Sequence, residues 1–172
     1  MHVRSQRPDA TPLILFHGWP SSFVEYRHLI RGLTDPGEPG LPAFHVVVPS
    51  LPGFGFSGPT RERGWGMNRM ADAFASLMSR LGYARYGAHG GDAGYAVATE
   101  LARRHREHVC GVHLSLGGIA FVVRHRGDPP ETLTPEEKHA IERVEAYFRD
   151  MSGYAAIQST RPQSLAYGLT DS

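Results

Sequence analysis

Short apolar runs alternate with helix-period segments along most of the chain. Leu13-Ile14-Leu15-Phe16 is apolar on both faces of an extended backbone and is broken by His17-Gly18-Trp19-Pro20, so it predicts a buried parallel strand. Ser21 and Ser22 can cap a following helix, with Phe23, Leu29, Ile30 and Leu33 for its buried face. Residues 35–42 are rich in turn formers and read as a loop. His45-Val46-Val47-Val48, ended by Pro49, predicts a second strand. Met70, Phe74, Leu77 and Leu81 recur at helical spacing, which predicts a helix over 67–81 with Gly82 as its stop. Tyr86 to His89 runs into a glycine-rich turn, the alanine-rich stretch 95–105 is helical, and 108–116 (HVCGVHLSL) is a further strand. This alternation predicts an α/β domain: a mostly parallel sheet with helices on both faces.

Beyond residue 116 the pattern changes. Residues 117–133 are irregular. Thr134-Pro135-Glu136-Glu137 is a helix start, with Thr134 as cap, Pro135 in the first turn and Glu137 closing a capping box. Ile141, Val144, Phe148 and Met151 give that helix an apolar stripe, and Gly153 is expected to end it. Residues 154–172 show no finished element. There is no internal repeat and no low-complexity tract.

Composition narrows the function classes. The chain has 172 residues, 41% hydrophobic and 20% charged, which suits one soluble domain with a proper core. A net charge of +1 gives no electrostatic case for nucleic acid or an anionic membrane. No apolar run approaches the ~20 residues that a bilayer span needs. The polar stretch 1–10 lacks the apolar core of a signal peptide, so a cytoplasmic location is expected. The single cysteine, Cys110, excludes an internal disulfide, and its valine neighbours suggest a small core residue.

The chemistry concentrates at Gly90-Gly91-Asp92-Ala93-Gly94, between a strand and a helix. It has the small-x-nucleophile-x-small form of a nucleophile elbow, with aspartate where serine is usual. The elbow glycines permit a strained turn and close backbone packing. An anion there meets the N–H groups and dipole of a helix N-terminus. The same residues would also serve as a plain strand-to-helix turn with Asp92 as helix cap. The spacing does not match G-x-G-x-x-G, which argues against dinucleotide binding. His17-Gly18-Trp19-Pro20 follows an earlier strand, where the other half of an oxyanion hole is expected. Backbone N–H groups of Trp19 and Ala93 are the candidate donors. The His17 side chain reads as a structural turn histidine, and Pro20 as a residue that sets the loop's direction. The glycine-rich loop 52–58 is too long for a tight turn and is expected to line a site.

HGWPSSFVEY, VVVPSLPGFGFSG, GAHGGDAG and GYAAIQSTRPQSLAYGLTDS, in that order, resemble the microsomal and juvenile-hormone type of epoxide hydrolase, with its soluble bacterial members. The resemblance runs from about His2 to Ser172. It implies an α/β-hydrolase fold and residues 1–116 as a partial core carrying the oxyanion loop and the elbow. It further implies 117–172 as the start of a helical lid. It gives Asp92 the role of attacking an epoxide carbon to form an ester. It gives Tyr154, in the G-Y-x-x-I-Q segment, the role of hydrogen-bonding the opening epoxide oxygen. The ester would then be hydrolysed by a histidine-activated water to a diol, with a small apolar epoxide and water as the only partners and neither cofactor nor metal. A homo-oligomer is left open.

The chain also departs from that pattern. The family's charge-relay carboxylate and catalytic histidine lie on loops after later strands, so this chain is expected to be a truncated piece with its late strands missing. None of its 10 histidines sits in such a loop. The sheet edge near 108–116 is then expected to be exposed. Met1 to Arg4 is expected to be mid-strand, pairing with a strand before it. The residue after the nucleophile, usually tryptophan in the family, is Ala93. Two other readings stay open: a haloalkane-dehalogenase-like hydrolase, which Ala93 disfavours, and a non-catalytic α/β-hydrolase fragment that binds an apolar ligand or a partner.

Overall fold

The structure, a computed structural model, describes residues 1–115 and 130–170. It divides into two compact units, Met1–Leu116 and Gly117–Ser172. Most of the stretch expected to be irregular, 117–133, lies outside the described residues; its described end contains a 3₁₀ turn over Pro130–Thr132.

The first unit is built on a five-stranded sheet. In chain order the strands are β1 (His2–Val3), β2 (Thr11–Phe16), β3 (Phe44–Val47), β4 (Tyr86–Gly90) and β5 (Val109–Leu114); in space the order is β1-β3-β2-β4-β5. β3, β2, β4 and β5 pair in parallel, and β1 pairs antiparallel with β3, placing His2 opposite Val47. The partner expected for residues 1–4 was a preceding strand. The observed partner is a later one, and the terminal amino group extends the pairing by donating to the Val48 carbonyl at 2.8 Å.

α1 (Ile30–Thr34), α2 (Met67–Arg80) and α3 (Ala93–Arg104) cover the sheet unevenly. On one face, α2 and α3 bury Met70, Ala71, Phe74, Met78, Val97, Ala98 and Leu101 against Ile14, Phe16, Tyr86 and Ala88. Here Phe16 meets Phe74 with ring centroids 4.9 Å apart. Among the described residues, the other face carries a smaller cluster of Leu15, Tyr26, Val46 and Val48, flanked by Ile30 and Leu33 of α1. Gly82, at φ 85°, stops α2 where the sequence placed the stop.

The helix expected after Ser22 is divided. Ser22 caps a 3₁₀ turn, Phe23–Tyr26, accepting from the Val24 N–H, and α1 begins only at Ile30. Tyr26 takes the buried place on that turn and its Oη donates to the Phe16 carbonyl at 2.9 Å, whereas Leu29 is 55% exposed. Anchoring the phenol at the end of β2 draws the first turn against the sheet and turns Leu29 outward.

Cys110 is exposed, not a core residue. β5 is the last strand of the described sheet, and residues 110–113 are exposed on both faces of the strand. An apolar setting in sequence buries a residue only where another layer covers it.

The second unit holds α4 (Pro135–Asp150), α5 (Gly153–Thr160) and α6 (Gln163–Thr170). The capping box forms as read: Thr134 Oγ1 accepts the Glu137 N–H and Glu137 Oε2 accepts the Thr134 N–H at 2.8 Å. Gly153 opens α5 rather than ending α4, and residues 153–170 contain two finished helices where none was expected. The apolar stripe of α4 is not buried: Ile141 and Val144 are partly covered, and Phe148 and Met151 are exposed.

Candidate active site

β4 ends at Gly90 and α3 starts at Ala93, leaving Asp92 at the bend with φ 51° and ψ −125°. A non-glycine residue in that region is strained and persists only where its surroundings hold it. The surroundings here are tight. A Cβ on Gly90 would strike the Gly94 carbonyl, and one on Gly94 would strike the Phe16 carbonyl at the end of β2. One on Gly91 would strike Ser115 Oγ. The small residues of the motif thus let α3 begin directly against the ends of β2 and β4.

Asp92 Oδ1 accepts two backbone hydrogen bonds, from Ala93 N–H at 2.7 Å and from Trp19 N–H at 2.8 Å. A residue that only caps its helix accepts from the second or third N–H of that helix. Asp92 instead takes the first N–H of α3 and one from a loop 73 residues away in sequence. The two candidate oxyanion donors therefore converge on one carboxylate oxygen. Among the described residues no hydrogen bond reaches Oδ2. Asp92 is exposed on its unit.

The loop delivering Trp19 is held from below. Gly18 passes so close to the elbow that a Cβ there would lie 2.6 Å from Asp92 Cβ. His17 is fully buried, with Nδ1 2.8 Å from the Gly18 carbonyl oxygen and Nε2 accepting the Leu51 N–H at 3.0 Å. Phe54 meets the ring edge-on at 5.6 Å. The peptide between Trp19 and Pro20 is cis. The link to Leu51 was missed from sequence, because nothing in spacing connects the first loop with the residue after Ser50. The 52–58 loop contains a 3₁₀ turn, Gly55–Ser57, closed by Ser57 Oγ donating to the Ser50 carbonyl at 2.7 Å. It leaves Phe56 91% exposed and 5.7 Å from Phe23. A cavity of about 490 Å³ lies beside these rings, lined also by Pro49, Pro52, Phe74 and Leu77; Asp92 is not among its lining residues.

Tyr154 belongs to the second unit, near the start of α5, and is half exposed. Its Oη lies 2.5 Å from Tyr147 Oη, and this bond raises the Tyr147 phenol above its ordinary pKa. Tyr147 was not singled out from sequence, and helical spacing could not have found it, because a break after Asp150 separates it from Tyr154. The two residues sit on different helices, α4 and α5.

Among the described residues no histidine is hydrogen-bonded to Asp92. His89 and His113 pair on the α1 side of the sheet, with Nδ1 atoms 2.8 Å apart, and burial, first among its causes, lowers the pKa of His89. His105 and Arg104 both engage Asp72 on α2. Among the described residues no group of three His, Cys, Asp or Glu is placed to hold a metal ion. No described helix is long and apolar enough to cross a membrane.

Comparison with known proteins places this geometry in context. The family model for the alpha/beta hydrolase fold matches residues 11–163. Epoxide hydrolase 1 of Sus scrofa is 36% identical over 95% of this chain and 39% of its own length. The crystal structure of juvenile hormone epoxide hydrolase from the silkworm Bombyx mori aligns with a TM-score of 0.69 at 30% identity, covering 100% of this chain and 38% of that one. The structure of Aspergillus niger epoxide hydrolase aligns with a TM-score of 0.70 at 34% identity, covering 99% and 44%. The chain thus spans about two-fifths of the length of these relatives. With a mostly parallel sheet, a strained elbow after β4 and a family match over most of its residues, the chain belongs to the alpha/beta hydrolase fold family.

Proposed function

We propose that the protein is an epoxide hydrolase that works through an aspartyl ester at Asp92. The observation carrying this reading is the carboxylate at the elbow, with Oδ1 held by two backbone N–H groups and Oδ2 free of bonds from the described residues. A serine there would indicate acyl transfer with an activating base; a carboxylate is already a nucleophile toward an electrophilic carbon. Asp92 Oδ2 attacks an epoxide carbon, the C–O bond of the ring breaks, and the alkoxide oxygen takes a proton. Tyr154 is the proposed donor of that proton, with Tyr147 at its oxygen as the next group in line. Trp19 and Ala93 N–H groups would stabilise the oxyanion on Oδ1 when water attacks Cγ, a step that needs a general base to take the water's proton. It ends when the Cγ–Oδ2 bond breaks, with the diol oxygen leaving and taking up a proton. His17, Gly18, Pro20, Gly90, Gly91 and Gly94 shape the loop and the elbow. Substrates are small and apolar, consistent with the exposed rings of Trp19 and Phe56 and the partly buried ring of Phe23 beside Phe56.

The test is intact-mass analysis of the 172-residue chain after incubation with styrene oxide. One adduct with the whole mass of the epoxide is expected, located at Asp92 and abolished by Asp92→Ala, because among the described residues no histidine is hydrogen-bonded to Asp92 to activate the water that would release it. Tyr154→Phe should slow adduct formation by about 10²–10⁴-fold. Equal labelling of wild type and Asp92→Ala would overturn the role of Asp92. Sustained diol release by this chain would overturn the stalled ester.

A further inference from the structure

The geometry points to His17 as a positioning residue that aims the Trp19 N–H at Asp92 by holding the peptide unit between Gly18 and Trp19. That peptide is engaged at both ends. Its carbonyl, on Gly18, lies 2.8 Å from His17 Nδ1, and its N–H, on Trp19, donates to Asp92 Oδ1 at 2.8 Å. Because a peptide unit is planar, fixing the direction of the C=O fixes that of the N–H on its opposite side. The proton inventory of the ring leaves one arrangement. The Leu51 N–H donates to Nε2, so Nε2 carries no proton. A carbonyl oxygen can only accept, so Nδ1 must carry the proton it donates to Gly18. His17 is therefore the neutral Nδ1–H tautomer, selected by the bond that Leu51 makes to the other nitrogen. The ring is fully buried, away from bulk solvent. One side chain thereby joins the loop after β2 to the segment after β3 and sends a donor into the site. The two bonds on the Gly18–Trp19 peptide also polarise each other in the same sense. Ala93, the other donor, is set by α3 itself and owes nothing to His17.

This inference concerns the site of the proposed hydrolase, but its test involves no epoxide, so the two readings fail separately. In the ¹⁵N-labelled chain, long-range ¹⁵N–¹H correlation should show His17 with a protonated Nδ1 and a bare Nε2. The Trp19 and Ala93 amide protons should both lie downfield of their positions in Asp92→Asn, where the carboxylate charge is gone. His17→Gln keeps an acceptor near Nε2 for Leu51 and removes the donor at Nδ1; it should move the Trp19 amide upfield while leaving Ala93 in place. His17→Asn places its amide nitrogen near Nδ1 and should retain most of the Trp19 shift. An Nε2–H tautomer in the wild type would overturn the proposal, and that measurement stands even if neither variant folds. A Trp19 amide unmoved in His17→Gln, or moved equally in both variants, would also overturn it, since a merely space-filling histidine predicts no such distinction.

Discussion

Asp92 holds φ 51° and ψ −125°, a conformation that costs a residue with a Cβ ~1–3 kcal/mol. The cost is offset by the close packing of Gly18, Gly90 and Gly94 around it, which leaves the bend no room to relax. Strain of this kind is separable from chemistry. Asp92→Gly and Asp92→Ala both remove the carboxylate, but only glycine is at ease at positive φ. Asp92→Gly should be the more stable variant by about 1 kcal/mol in chemical denaturation. Equal stabilities would show that the backbone at the elbow is unstrained. The aspartate at a glycine-lined bend between strand and helix was legible in the motif. The fact that both hydrogen bonds fall on one oxygen was not, because it depends on where a loop 73 residues earlier comes to rest.

Among elements, α2 and α3 are joined at the surface as well as in the core. Arg104, near the end of α3, donates to both oxygens of Asp72 at 2.9 and 2.7 Å, and His105 Nε2 lies 2.8 Å from Oδ1. The Arg104 bond foremost, then that of His105, holds the Asp72 carboxyl at about 2, below the usual carboxylate range. A depressed carboxylate contributes stability above its unfolded-state value, about 3.9, and loses it as pH falls toward the folded value. Asp72→Asn should therefore flatten the loss of stability between pH 4 and about 2 and have its full, small effect at neutral pH. Thermal melts of both proteins across that window would check it; parallel curves would show that the pair contributes nothing to stability. The helices themselves were readable from the spacing of Met70, Phe74, Leu77 and Leu81, because each has a core face to repeat. The turn at Phe23–Tyr26 was not, because a single phenol reaching the Phe16 carbonyl outweighs periodicity over so short a span.

At the scale of the whole molecule, β5 stands at the edge of the described sheet with Cys110 and Val112 exposed. Beside it an open groove of about 490 Å³ runs along the less covered face, lined by Leu13, Leu15, Leu33, Phe44, Ala88 and Val112. An exposed thiol should react with a maleimide to completion without denaturant, one per chain, and Cys110→Ser should change stability by less than about 0.5 kcal/mol. A thiol that reacts only after unfolding would show this strand to be covered. Apolar neighbours in sequence pointed to burial of Cys110; whether a layer lies over them is a property of the assembled sheet.

The sequence by itself determined the local vocabulary: strand and helix periods, the Gly82 stop, the Thr134–Glu137 capping box and the aspartate at a glycine-lined turn. Each rests on residues within a few positions of one another, so spacing alone can express it. Only the tertiary structure decided which faces are covered, how Trp19 reaches Asp92 and why His17 must carry its proton on Nδ1. Those outcomes join segments tens of residues apart, and the direction of a hydrogen bond between them exists only once the sheet has set both ends in place.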